Sequence, residues 1–364
     1  MTDSFEIVDG FLRKKSVARM GLFDLPWPDT LRKWVEEQGY PEDKGRPMAP
    51  GKYFGFDMVG CGGWFDLMPL RGHWEALEET DEWIVTRNGA GASLKNWKRK
   101  SGTPEHIDFR MTSREIWEKD YRPHLIATDP HRLNIVNDRA SLQKTRAKGR
   151  WAFFGNLFIF EQMRSSLGDM CMFESMLLDP DWIHDFNRVY TDFYKAHYAL
   201  LFKEAGIPDG IWIYEDMGYS RGLFCSPKTL EKLFFPYYKE IVDFFHSYDL
   251  PVVLHTCGGI TDALPLIVDA GFDALNPMEV KAGCDAVAFA ETYGDKLAFV
   301  GGLDARILES GDRSEIEREV TRICTGMKAC GGRYLFGSDH SLSTNVDLAD
   351  FEYAVQVYKE QMMY

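Results

Sequence analysis

The chain has 364 residues, too many for one small domain and suited to one large α/β barrel or to two domains. A formal charge of −14 excludes the basic face that nucleic acid requires and disfavours a highly anionic substrate. No run is long and apolar enough to span a bilayer, Met1 to Lys15 lacks a secretory apolar core, and the seven scattered cysteines form no Cys-x-x-Cys pair, so a cytoplasmic enzyme with no membrane or nucleic-acid partner is expected.

Residues 1–150 are aromatic-rich and irregular. Thr30, Leu31, Trp34 and Val35 carry a helical spacing over Asp29 to Gln38. Gly60-Cys61-Gly62-Gly63-Trp64 reads as a tight loop with no clear strand before it and no helix after it, which rejects a phosphate-binding reading. Glu82 to Thr86 and Ala92 to Lys98, joined through Asn88-Gly89, predict a β-hairpin, and His106 to Phe109 adds a strand to that antiparallel meander. Taken one by one, the tryptophans of this stretch are ordinary core residues; as a group they are compatible with an aromatic ligand.

From Trp151 the pattern becomes regular. A strand at Trp151 to Phe154 leads into a helical stretch from Glu161 to Leu178. Asp179-Pro180 caps a second helix that runs to Gly206, with His197 on its apolar stripe as a packed core histidine. A strand at Gly210 to Tyr214 follows, then a helix opened by Ser226-Pro227 and kinked at Pro236. Strands at Val252 to His255, Phe272 to Asn276, Leu297 to Val300 and Arg333 to Phe336 alternate with helices at Ala263 to Ala270, Asp285 to Tyr293, Glu315 to Ala329 and Leu348 to Gln361. No Gly-x-Gly-x-x-Gly fingerprint follows a strand, so the expected fold is a (β/α)8 TIM barrel rather than a dinucleotide-binding fold. Residues 151–364 make its main part, and residues 1–150 form an N-terminal lobe and cap that contributes to it.

Active sites in such barrels sit at the C-terminal ends of the strands. His255 and Cys257 share one face of a strand because residues i and i+2 point the same way, and imidazole beside thiolate is half of a zinc site. Glu279 and His340, at later strand ends, complete a four-ligand shell of His255, Cys257, Glu279 and His340. Each of the last two alone would read as a solvated loop residue. Tyr214, Glu215, Asp216 and Tyr219 stand at another strand end. They either orient and protonate a departing group or pair with Arg221 and Lys228. Asp339 is placed to orient His340.

Leu254-His255-Thr256-Cys257-Gly258-Gly259, with Gly337-Ser338-Asp339-His340 and Thr344-Asn345, resembles the uroporphyrinogen decarboxylase/methionine synthase barrel superfamily. The branch it is most similar to is the zinc-dependent, corrinoid-linked methyltransferases. The resemblance covers most of residues 150–364 and touches the first 150 only loosely. It implies a uroporphyrinogen decarboxylase-type barrel, a Zn2+ ion, a homodimer, and methyl transfer involving a corrinoid. Because no Asp-x-His-x-x-Gly motif is present, the corrinoid belongs to a separate partner protein. His340 stands where that branch has a cysteine, which leaves one thiolate rather than two. The ion is then a stronger Lewis acid, suited to an ether oxygen. The expected reaction is transfer of methyl from a methoxylated aromatic compound to cob(I)alamin, as the demethylating component of an O-demethylase. The alternatives are transfer from methylcobamide to a thiol, or a metal-free decarboxylase. The decarboxylase reading is weakened by the absence of an arginine-rich N-terminal motif; a barrel that binds a partner without turnover is the non-enzymatic one.

Overall fold

The computed structural model describes residues 4–100 and 102–364. Eight parallel strands form one sheet: β1 Gly21–Leu22, β2 Met58–Gly60, β3 Trp151–Leu157, β4 Gly210–Tyr214, β5 Val252–Thr256, β6 Ala274–Pro277, β7 Ala298–Val300 and β8 Tyr334–Phe336. Their order is β1-β8-β7-β6-β5-β4-β3-β2, the circular order of a (β/α)8 barrel whose two end strands share no ladder. Val252, Val253 and Leu254 are wholly buried, as expected of parallel strands covered on both faces. In register, His255 stands opposite Tyr214 on β4 and Asn276 on β6, which sets the neighbours of the later site.

The seam between β1 and β2 is closed by a side chain. Asp57 N donates to Leu22 O at 2.8 Å, and Leu22 N donates to Asp57 Oδ2 at 2.8 Å. Arg19 grips the same carboxylate with two guanidinium nitrogens at 2.7 and 2.8 Å. Beside this seam the rings of Phe23, Phe153 and Trp212 lie 5.1–6.0 Å apart, an aromatic plug across β1, β3 and β4.

The expectations for the second half are met in outline, with two helices divided. Where a single helix was expected over 161–178, there are two, Ile159–Leu167 and Asp169–Leu178. Gly168 between them takes φ +76°, and a Cβ there would lie 2.5 Å from the Phe109 ring, so the helix breaks where the meander packs in. Asp179 caps the helix Pro180–Ala205, and Pro236 sits just past a break between Pro227–Leu233 and Phe235–His246. His197 is fully buried with both ring nitrogens bonded, to Phe193 O at 2.8 Å and from Asp129 N at 3.1 Å.

In the first half, the hairpin turn forms as read: Asn88 Oδ1 accepts from Ala90 N and Ala92 N at 3.0 and 3.1 Å. The meander has four strands, Trp74–Glu79, Trp83–Asn88, Ala92–Trp97 and Glu105–Phe109, the first of them unforeseen. The glycine loop at 60–64 does follow a strand, contrary to the sequence reading, because β2 is three residues long and carries too little pattern to detect. All seven cysteines are unpaired, and among the described residues no helix is long and apolar enough to cross a membrane.

Candidate metal centre

The last turn of β5 delivers two donors. His255 Nε2 and Cys257 Sγ lie 3.4 Å apart, as the alternation along the strand requires. The His255 tautomer is set by its neighbour: Asn276 Nδ2 donates to Val300 O at 2.9 Å, which turns Asn276 Oδ1 toward His255 Nδ1 at 2.5 Å. Nδ1 therefore carries the proton, and the Nε2 lone pair faces Cys257.

A third donor comes from the loop after β4. Asp216 Oδ1 accepts from Cys257 N at 2.9 Å and lies 3.8 Å from His255 Nε2. Asp216, His255 and Cys257 each present one ligand atom, all within 4.8 Å of one another. The glycines after Cys257 make this approach feasible. Gly258 has φ +86°, and a Cβ on it would sit 2.2 Å from the Gly218 carbonyl carbon and 2.3 Å from Tyr219 N. Gly259 N donates to Tyr219 O at 2.9 Å. Any side chain at 258 would push the Asp216 loop away from the strand end.

The donor set suits zinc. Bonds of about 2.0 Å to nitrogen and about 2.3 Å to sulfur give a tetrahedral N···S edge of about 3.5 Å, near the 3.4 Å found. One imidazole, one thiolate and one carboxylate leave a fourth position free, the pattern of catalytic rather than structural zinc. Burial pushes the His255 imidazole below its ordinary value, against the pull of Asp216, so it is a neutral ligand near pH 7. Burial, with Asp216 and Glu279 nearby, pushes the Cys257 thiol well up. A dication is the charge that reverses this and holds the sulfur as thiolate.

The cluster differs from the four-ligand set expected from sequence. Asp216, expected as a catalytic group, joins His255 and Cys257, whereas Glu279 and His340 stand outside it. Glu279 is spoken for: Oε2 accepts from Gly258 N at 2.7 Å and Oε1 pairs with Lys281 at 3.2 Å, so it braces the loop after β5. His340 is exposed, its carbonyl accepting from Ser338 Oγ at 2.5 Å.

The remaining expected residues are distributed between wall and mouth. Asp339 accepts from Val280 N and Ala305 N at 2.8 and 2.9 Å, tying the loops after β6 and β7 together. Glu215 is buried beneath the site and accepts from Phe160 N and Glu161 N at 3.1 and 2.7 Å, capping the helix after β3. Tyr214 lies at the mouth, its ring 5.4 Å from His255 and 5.3 Å from Trp64, which is half exposed. Tyr219 is exposed and stacks on Phe224, which also lies under the Arg164 guanidinium at 4.4 Å. One group escaped the sequence reading altogether. Glu161, in the first turn of that capped helix, has its carboxyl pushed up to about 7 by burial, with Asp216 adding to the rise and Arg164 at 2.5 Å opposing it. An acidic residue in a first helical turn is so common that nothing in the pattern marks this one.

The imidazole, thiol and carboxylate converge at the strand ends, where the active sites of such barrels sit. Residues 151–361 match the uroporphyrinogen decarboxylase (URO-D) family, and the chain belongs to it. The methylcobamide:CoM methyltransferase MtbA of Methanosarcina acetivorans is 29% identical over 187 residues, 50% of this chain and 46% of that protein. MtbA of Methanosarcina mazei is 29% identical over 176 residues, 47% of this chain and 43% of that protein. The aligned region thus spans under half the length of these curated relatives. A solved methyltransferase from Methanosarcina mazei superposes with a TM-score of 0.71 at 15% identity, covering 99% of both chains, which extends the likeness of fold to the N-terminal lobe.

Proposed function

We propose that this protein is a zinc-dependent, corrinoid-linked methyltransferase that takes a methyl group from an aromatic methyl ether and passes it to the cob(I)alamin of a separate corrinoid protein. The observation that carries this reading is the convergence of Asp216, His255 and Cys257 at the ends of β4 and β5. Zinc bound there would supply a Lewis acid for the ether oxygen, and a shell with one thiolate donates less charge to the ion than one with two. Asn276 holds the His255 lone pair on the site, and Asp216 keeps the Cys257 backbone in place. Trp64 and Tyr214 form an aromatic wall against which an arene stacks. Glu161, whose carboxyl is pushed up by burial, is the group we assign to hand a proton to the departing phenolate. The names of the curated relatives favour a second reading, methyl transfer between methylcobamide and a thiol.

Metal analysis of the purified protein together with a methyl-transfer assay tests both. One equivalent of zinc is expected in the wild type and loss of it in Cys257→Ser and Asp216→Ala, with activity falling by at least about 100-fold in each. Methoxybenzenes should convert reduced corrinoid protein to its methylated form, followed by absorbance. Methylation of a thiol from methylcobamide, with no reaction of any methoxyarene, would establish the second reading. A wild type that neither holds nor takes up zinc sinks both.

A further inference from the structure

β1 and β2 are joined at Leu22 and Asp57 and then diverge. Beyond that point their backbones bond away from each other: Phe23 N donates to Phe336 O, and Cys61 N donates to Phe153 O. The divergence leaves a cavity of about 640 Å3, within the range of about 300–1,000 Å3 for small-molecule sites. Its apolar wall is built from Phe23, Leu25, Leu31, Phe56, Met58 and Val59. Its rim carries Lys144, Lys148 and Arg150.

These three cations line one pocket in a chain of net charge −14. Their neighbours are matched: Arg146 pairs with Asp209, Arg19 with Asp57 and Lys52 with Asp43. Lys144, Lys148 and Arg150 come within ion-pair distance of no carboxylate among the described residues. Gly51 leaves room for the Arg150 guanidinium, since a Cβ there would lie 2.8 Å from Nη1. The one carboxylate in the lining, Asp24, is buried, with its oxygens taken by Ser338 N, Ser338 Oγ and Leu25 N. Asp57 acts on Arg150 from beyond ion-pair distance, and an apolar pocket rimmed by three cations that no carboxylate contacts is complementary to an anionic head on an apolar body.

We infer that the β1–β2 seam is a second ligand site, separate from the metal centre, that binds an amphipathic monoanion with its carboxylate-type head against Lys144, Lys148 and Arg150 and its apolar body between Phe23, Leu31 and Met58. Such a head and body occur both in a fatty acid and in an aromatic carboxylate. The two sources are distinguished by shape.

Calorimetric titration of the whole protein with dodecanoate, 2-naphthoate and neutral 2-naphthamide tests this. Binding of at least one of the anions is expected. If 2-naphthoate is the one that binds, the amide should be at least tenfold weaker; dodecanoate alone would identify an acyl chain as the ligand. Lys144→Glu combined with Lys148→Glu, both exposed positions, should weaken binding at least tenfold. Leu31→Trp, which fills the cavity from its wall, should abolish it with circular dichroism unchanged. Cys257→Ser should leave it intact, because that residue lies at the metal centre. The inference is overturned if neither anion binds below millimolar concentration, if the amide matches 2-naphthoate, or if the charge-reversed and cavity-filled proteins bind as the wild type does.

Discussion

The two halves of the barrel are held together by different means. From β3 to β8 neighbouring strands are laddered, and the candidate metal centre draws on β4 and β5, with Asn276 of β6 bonded to His255. The first half contributes strands of only two and three residues, and their junction depends on the Asp57 carboxylate between Leu22 N and Arg19. A ladder spreads its stabilisation over many backbone bonds, so the loss of one side chain is tolerated. A carboxylate staple concentrates it in one residue.

The widest gap between the halves should appear on cutting that staple. Asp57→Ala leaves the Arg19 guanidinium without its partner and should cost about 3–5 kcal/mol in urea unfolding. A loss under about 1 kcal/mol would mean that the seam is held by packing and that the contrast is misplaced. A smaller effect tests the half that carries the candidate metal centre. Asn276→Ala should leave the fold intact but weaken zinc binding by about 10–100-fold, read by competition with a chelating dye. An unchanged affinity would show that the strand alone orients His255.

The smallest effect concerns the surface of the same half, where Arg188 and Lys195 hold the Glu240 carboxyl down at about 2. A carboxylate whose folded value is depressed stabilises above its unfolded value and loses that contribution as pH falls toward the folded one. Glu240→Gln should therefore cost about 0.5–1 kcal/mol at pH 7, discounted because the pair is partly exposed, and the difference should shrink between pH 4.5 and pH 2. A gap that stays constant down to pH 3 would assign the loss to packing rather than charge.

Much of this was legible because it is local. Ser226-Pro227, Asp179-Pro180 and Asn88-Gly89 each act through bonds within a few residues, and each formed as read. Short strands were not: Gly21–Leu22 and Met58–Gly60 are strands only because β8 and β3 pair with them. The break at Gly168 was hidden for the same reason, since its cause is the ring of Phe109 from the distant meander.

The metal centre divides along that line. Strand alternation by itself put His255 beside Cys257, because a two-residue period is a property of the backbone. The third partner was decided only in three dimensions. Glu279, Asp216 and His340 all stand at strand ends and are chemically eligible, and no spacing rule ranks them. The contact of bare Gly258 with the Gly218-Tyr219 backbone draws Asp216 over Cys257, while the Gly258 N–H and Lys281 hold Glu279 as a brace. Close approach of two loops far apart in sequence has no local signature, and it is what brings Asp216 beside His255 and Cys257.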